Sequence, residues 1–214
     1  MIEINNLSKS YKIKTGRNVV FKNLNLNIHP SQKLALIGKN GTGKSTLIRL
    51  ISGADHPSSG TITRNMSVSW PLAFGDAFQG SLTGIDNTRF ICRVYNKSFE
   101  GAIDYVRDFT ELGNYLSEPV KKYSSGMRAK LAFAISMLVN FDCYLIDEIT
   151  AVGDYTFQKK CDEELFIKRS NSSMIIASHD ENLLRERCDS ALLFKNGHVS
   201  FFDNIDEAFN QYNK

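Results

Sequence analysis

Cysteines are few in this sequence, and none stands in a pairing pattern: Cys92, Cys143, Cys161 and Cys188 lie far apart. That spacing excludes a zinc ribbon and a CxxC redox site, and it points to reduced thiols in the cytosol. Long apolar runs are missing too. The N-terminus MIEINNLSKSYK has no apolar core for a signal peptide, and the longest apolar-rich stretch, Leu131 to Val139, is too short to cross a bilayer. A soluble chain is expected, held at a membrane only through another subunit. Charge of one sign is also scarce. A net charge of +3 is too small to argue for nucleic acid. The basic cluster Lys9, Lys12, Lys14, Arg17 and Lys22 is expected to be a solvated hairpin surface. There are no repeats, low-complexity tracts or proline-rich linkers.

What is present has the composition of an ordinary globular protein, 42% hydrophobic and 23% charged over 214 residues, enough for one sizeable domain with a small inserted arm. Residues 2–7 and 19–28 alternate apolar and polar around a turn at Thr15-Gly16, as half-buried antiparallel strands do. The texture then changes. KLALIG (33–38), FDCYLIDE (141–148) and SMIIAS (173–178) are short apolar runs ending in polar groups, which suits central strands of a parallel sheet. Asn196-Gly197 marks a type I′ hairpin. Between these lies a stretch of helical spacing. The expectation is a single α/β domain over 1–214, its core and antiparallel β subdomain at about 1–85 and 141–214, with a helical arm inserted at 86–140.

GKNGTGKS, Gly38 to Ser45, fits G-x-x-x-x-G-K-[ST] between a strand and a helix, the setting of a P-loop. The spacing follows from the chemistry. Gly38, Gly41 and Gly43 let the backbone N–H groups of the loop (Lys39, Asn40, Thr42) curl around a β-phosphate. Lys44 brings positive charge to the β and γ oxygens, Ser45 offers a hydroxyl to Mg²⁺, and Thr46 continues the helix mouth. A bare glycine turn before a helix is the plain alternative. In LIDE, Asp147 ends an apolar strand where it can hold Mg²⁺ through water, and Glu148 follows as a candidate base for the attacking water. A second serine-glycine cluster, YSSGM (Tyr123 to Met127), opens a buried helix, with Ser124 or Ser125 as its cap and Gly126 allowing close backbone approach. A single anion seldom needs two helix mouths from one chain.

Together these residues resemble the ATP-binding subunits of ABC transporters over almost the whole chain. The resemblance implies an ABC-type P-loop NTPase (RecA-like) core. Subunits of that family dimerise head to tail, so Ser124, Ser125, Gly126, Met127 and Asp154 are expected to face the ATP held by a second copy. It further implies that Tyr11 stacks on adenine, that Gln79 senses Mg²⁺ and links site to arm, and that His179 acts on the γ-phosphate or its water. The commoner signature reads LSGGQ, so Ser125 and Met127 depart from it, as does Ile149 where proline usually follows the glutamate.

Within the family, SWPLAFGDAFQGSLTGIDNTRFICRVYN (69–96), EPVKKYSSGMRAKLAFAISM (118–137) and FDCYLIDEITAVGD (141–154) resemble ATPases of bacterial capsular polysaccharide exporters. That resemblance implies ATP and Mg²⁺, and a polytopic inner-membrane permease that handles a lipid-linked glycan within a larger envelope assembly. It places the chain on the cytoplasmic face of the membrane, with no nucleic acid partner. O-antigen or teichoic acid export and a soluble non-transport ABC ATPase are the alternatives. O-antigen exporters often carry an added sugar-binding domain, for which a chain stopping at Lys214 leaves no room. A small-molecule kinase would lack the signature. The segment Trp70 to Phe78 is either a docking surface for the permease or, through Trp70, Leu72 and Phe74, part of the core.

Overall fold

The structure, a computed structural model, describes residues 1–72, 79–147, 155–195 and 197–214. By contacts these form two compact units: 1–71, 141–147 and 171–214 (apart from 196) in the first, and 72, 79–140 and 155–170 in the second.

The first unit holds two sheets. Strands β1 (Ile2–Ile13), β2 (Gly16–Ile28) and β4 (Ser59–Arg64) form an antiparallel sheet in the order β2-β1-β4. Ile13 pairs with Gly16 across a two-residue turn at Lys14-Thr15. The apolar alternation in β1 changes phase, from Ile2 and Ile4 to Leu7 and Lys9. A register shift between Ile4 and Leu7, with Asn6 at φ 48°, absorbs the extra residue. This shift turns Lys9 inward.

The second sheet runs β5 (Val68–Leu72), β6 (Cys143–Asp147), β7 (Ser173–Ala177), β3 (Lys33–Gly38), β8 (Ser190–Lys195), β9 (His198–Phe202). Strands β6, β7, β3 and β8 are parallel neighbours, and the hairpin partner β9 is antiparallel. Their unbroken apolar runs are buried along their length, as expected for strands covered on both faces. One core joins both sheets with helix α1 (Lys44–Ser52), whose Leu47, Ile48, Leu50 and Ile51 are fully buried. Leu72 is fully buried, while Trp70 is half-buried and packs edge-on against Phe141 at 5.4 Å. Phe74 lies outside the described residues.

The second unit is helical: α2 (Gly84–Val94), α3 (Phe99–Thr110), α4 (Ser125–Met137) and α5 (Tyr155–Asp162), which runs on as a π-helical turn at Glu163–Ile167. Phe109 of α3 stacks on Phe133 of α4, and Phe157 of α5 meets both edge-on. Arg169 donates to Glu164 Oε2 (2.7 Å) and to the Met137 carbonyl at the end of α4 (2.7 Å), which anchors that helix. Burial raises the Glu164 carboxyl, but the hydrogen bonds from Lys168 and Arg169 outweigh it and hold the group below its usual range. Stability from this pairing is present above the unfolded carboxyl's pKa and is lost as pH falls through the folded value. Helices α6 (Glu181–Arg187) and α7 (Ile205–Tyr212) complete the first unit. Among the described residues, no helix is long and apolar enough to cross a membrane.

Candidate functional site

The loop between β3 and α1 is built to approach an anion. Gly43 has φ 112°, and a Cβ there would lie 2.4 Å from Val20 Cγ1, so only glycine lets β2 pass this close. A Cβ on Gly38 (φ 155°) would meet the Phe194 carbonyl at 2.8 Å. Helix α1 begins with no side-chain cap and no acidic residue in its first turn, which leaves its positive end to a ligand. Lys44 is buried, and its ammonium donates to the carbonyls of Gly38 (2.6 Å) and Lys39 (3.1 Å), stretched across the mouth of the loop. Thr42 Oγ1 donates to the Lys39 carbonyl at 2.8 Å and stiffens the turn. Lys39, Asn40, Gly41 and Ser45 are exposed, while Thr46 is half-buried.

Parallel pairing gathers the polar strand ends here. Ala177 of β7 lies opposite Asp147 on one side and Leu36 on the other, two residues before Gly38. Asp147 therefore stands two strands from the start of the cradle, roughly 10 Å across the sheet. It is half-buried. His179, just beyond β7, is exposed; its neighbour Asp180 caps α6 by accepting the N–H groups of Asn182 and Leu183. Glu148 and Asp154 lie outside the described residues.

Tyr11 belongs to the same unit. It pairs with Asn18, two residues along β2 from the Val20 that touches the cradle. Its hydroxyl donates to Asp55 Oδ2 at 2.8 Å. Lys9 is a correction to the solvated hairpin expected from sequence. Only 7% exposed, it pairs with Asp55 at 2.7 Å, because the shift in β1 turns it inward. Lys12, Lys14, Arg17 and Lys22 are exposed as expected. Asp55 itself escaped sequence reasoning: no motif contains it, and the residues it holds are more than forty positions away.

The serine-glycine cluster and Gln79 lie in the second unit. Of the two candidate caps, Ser124 takes the role, its Oγ accepting the Met127 N–H at 3.2 Å. Ser124 and Ser125 are exposed at the helix mouth, and Gly126 and Met127 are half-buried. Arg128 donates to the Tyr123 carbonyl at 2.7 Å, and the buried Tyr123 donates to the Tyr115 carbonyl at 2.5 Å. Gln79 is exposed, and the turn it begins is laced to the approach to Ser124. The N–H of Lys121 bonds the Gly80 carbonyl (2.8 Å), and that of Val120 the Leu82 carbonyl (2.9 Å). Gly84 completes this joint. A Cβ there would lie 2.8 Å from the Tyr123 hydroxyl and 3.1 Å from Leu116. Gly84→Ala is expected to cost about 1–3 kcal/mol by overpacking, read by urea unfolding, and to lower ATP turnover by moving Tyr123 and the serine beside it.

Residues 21–151 match the ABC transporter family. The chain belongs to it. Over 214 residues it is 52% identical to the ATP-binding protein BexA of Haemophilus influenzae, covering all of this chain and 99% of that one. It is 50% identical to the capsule polysaccharide export ATP-binding protein CtrD of Neisseria meningitidis, again over the whole chain and 99% of the relative. In fold it is similar to the ATP-binding cassette MJ0796 in its dimeric, ADP- and phosphate-bound form: TM-score 0.80, 20% identity, 95% of this chain and 98% of that one covered.

As an ABC ATPase, the chain divides its chemistry between the two units. The cradle, Asp147 and His179 are in the first, and the serine-capped helix mouth and Gln79 in the second. The first unit carries an uncapped helix start beside the Lys44 ammonium and the Ser45 hydroxyl, and the second a helix start capped by Ser124.

Proposed function

We propose that this chain is the ATP-hydrolysing subunit of a capsular polysaccharide exporter, working as a head-to-tail dimer beneath a membrane permease. Identity of 50–52% over the whole length, to BexA and to a protein named for capsule polysaccharide export, carries the reading. Teichoic acid export fits less well, since the relatives so named are 34–36% identical.

ATP lies with its phosphates on the loop Gly38 to Thr46, and its β and γ oxygens face Lys44. The hydroxyl of Ser45 and the carboxylate of Asp147 are hard oxygen donors that suit Mg²⁺, with Gln79 as a further oxygen ligand. When bound, that ion neutralises charge on the phosphates. Glu148 takes the proton of the attacking water, and His179 orients the water or the γ-phosphate. Tyr11 stacks on adenine, a contact worth about 1–3 kcal/mol in base–aromatic pairs. From the second copy, Ser124 and the Gly126 amide reach the γ-phosphate, beside Ser125, Met127 and Asp154. Closure of the dimer on ATP and its reopening on hydrolysis drive a lipid-linked glycan through the permease, from the cytoplasmic face of the inner membrane.

The test is purification of the chain with its polytopic membrane neighbour. A lipid-linked capsular glycan is expected to co-purify and to raise ATP turnover when added back to the complex. Association with ribosomes or nucleic acid in place of a membrane subunit would overturn the transport reading.

A further inference from the structure

Helix α1 carries the phosphate cradle at its N-terminus and, just beyond its C-terminus, the carboxylate that holds Tyr11. The helix ends at Gly53, and the Asp55 N–H returns to the Arg49 carbonyl at 3.2 Å. Arg64 donates to the carbonyls of Leu50 and Ile51, both at 2.6 Å, and fixes this end to β4. Asp55 then receives two donors from β1, the Lys9 ammonium at 2.7 Å and the Tyr11 hydroxyl at 2.8 Å, while Lys9 also donates to the His56 carbonyl at 2.6 Å. The Lys9 ammonium sits 4.7 Å from the centre of the Tyr11 ring, over one of its faces.

We propose that Asp55 is a positioning residue for nucleotide recognition: it fixes the Tyr11 ring, through the hydroxyl, at the height where adenine arrives. The inference rests on the adenine-stacking role of Tyr11 given above. The physical case is one of alignment. Tyr11 lies in an exposed part of the hairpin, and a ring free to turn there would lose freedom on meeting a base. Bound to Asp55, the ring is referenced to the same nine-residue helix that opens with Lys44. That rod is about 13 Å long, with the cradle at its start and the carboxylate just past its end. The hydrogen bond from Lys9 holds Asp55 below the usual carboxylate range, so at neutral pH it is an acceptor only and Tyr11 must donate.

The test uses calorimetric titration of the full chain in EDTA, with ATP and with inorganic tripolyphosphate, which has phosphates but no base. Asp55→Ala is expected to weaken ATP about 3- to 10-fold, the size of one hydrogen bond, and to leave tripolyphosphate unchanged. Tyr11→Phe keeps the ring and the Lys9–Asp55 pair, and should move ATP in the same direction. Added to Tyr11→Ala, the Asp55 change should have no further effect. If Tyr11→Ala weakens ATP while Asp55→Ala and Tyr11→Phe leave it unchanged, the positioning role is wrong and the adenine platform stands. Equal loss of both ligands in Asp55→Ala would show that it serves the phosphate end, which also overturns the proposal. If Asp55→Ala does not fold, Tyr11→Phe decides alone. ATP affinity unchanged in Tyr11→Ala would remove the platform itself, and this inference with it, leaving the cradle untouched.

Discussion

Lys44→Ala should abolish nucleotide binding at the cradle, measured by titration with ATP. The ammonium is already stretched across the loop mouth by the Gly38 and Lys39 carbonyls, where a phosphate oxygen would meet it. A hydrogen bond to a charged group is worth about 1.5–3 kcal/mol, so losing the two proposed from Lys44 to the β and γ oxygens weakens ATP roughly 100-fold or more. Ser124→Arg should instead leave ATP binding at the cradle intact and stop hydrolysis, because in the proposed head-to-tail dimer the lesion falls on the nucleotide held by the second copy. Mixing the two variants separates these roles. Random pairing in a two-fold dimer gives about a quarter of the sites with neither lesion. ATP turnover should therefore return in the mixture although each variant alone is inactive. Continued silence of a mixture that demonstrably forms heterodimers would count against sites built across two copies, or against one finished site sufficing for turnover.

Glu148→Gln carries the second large effect. In sequence it follows Asp147, the last residue of β6, and β6 pairs with β7, the strand that leads to His179. The amide keeps the shape of the side chain but cannot accept the proton of the attacking water. ATP should bind near its normal affinity while the hydrolytic rate falls about 10²- to 10⁴-fold, the usual contribution of a general base. The ATP-bound dimer should accumulate, visible as a shift in size-exclusion chromatography that requires nucleotide. Near-normal turnover would transfer the base to another residue.

The two helix mouths could be read from short stretches because the instructions are local. In GKNGTGKS, the glycines, the lysine and the start of α1 lie within eight residues, so the pattern is complete in one stretch, although Val20 and Phe194 pack against it. Ser124 as cap follows from the same locality, although sequence left Ser125 as an equal candidate until the Met127 N–H was placed. The family and the export subfamily were legible for a related reason: the segments 69–96, 118–137 and 141–154 hold contiguous chemistry. Lys9 shows where this reasoning stops. In a hairpin it reads as one solvated cation among several, and only the extra residue in β1 reverses that.

The amino-acid order therefore marked the family of the chain and its candidate chemistry: a phosphate loop, an Asp-Glu pair after an apolar run, and a second helix start opened by serine and glycine. Folding in three dimensions decided which distant residues support it. Asp55 reaches Lys9 and Tyr11, Arg169 reaches the end of α4, and Phe157 joins α3 and α4. A motif is closed by neighbours along the chain, whose geometry a few dihedrals fix. A tie between residues more than about twenty apart depends on strand register and helix packing, which no short stretch of sequence contains.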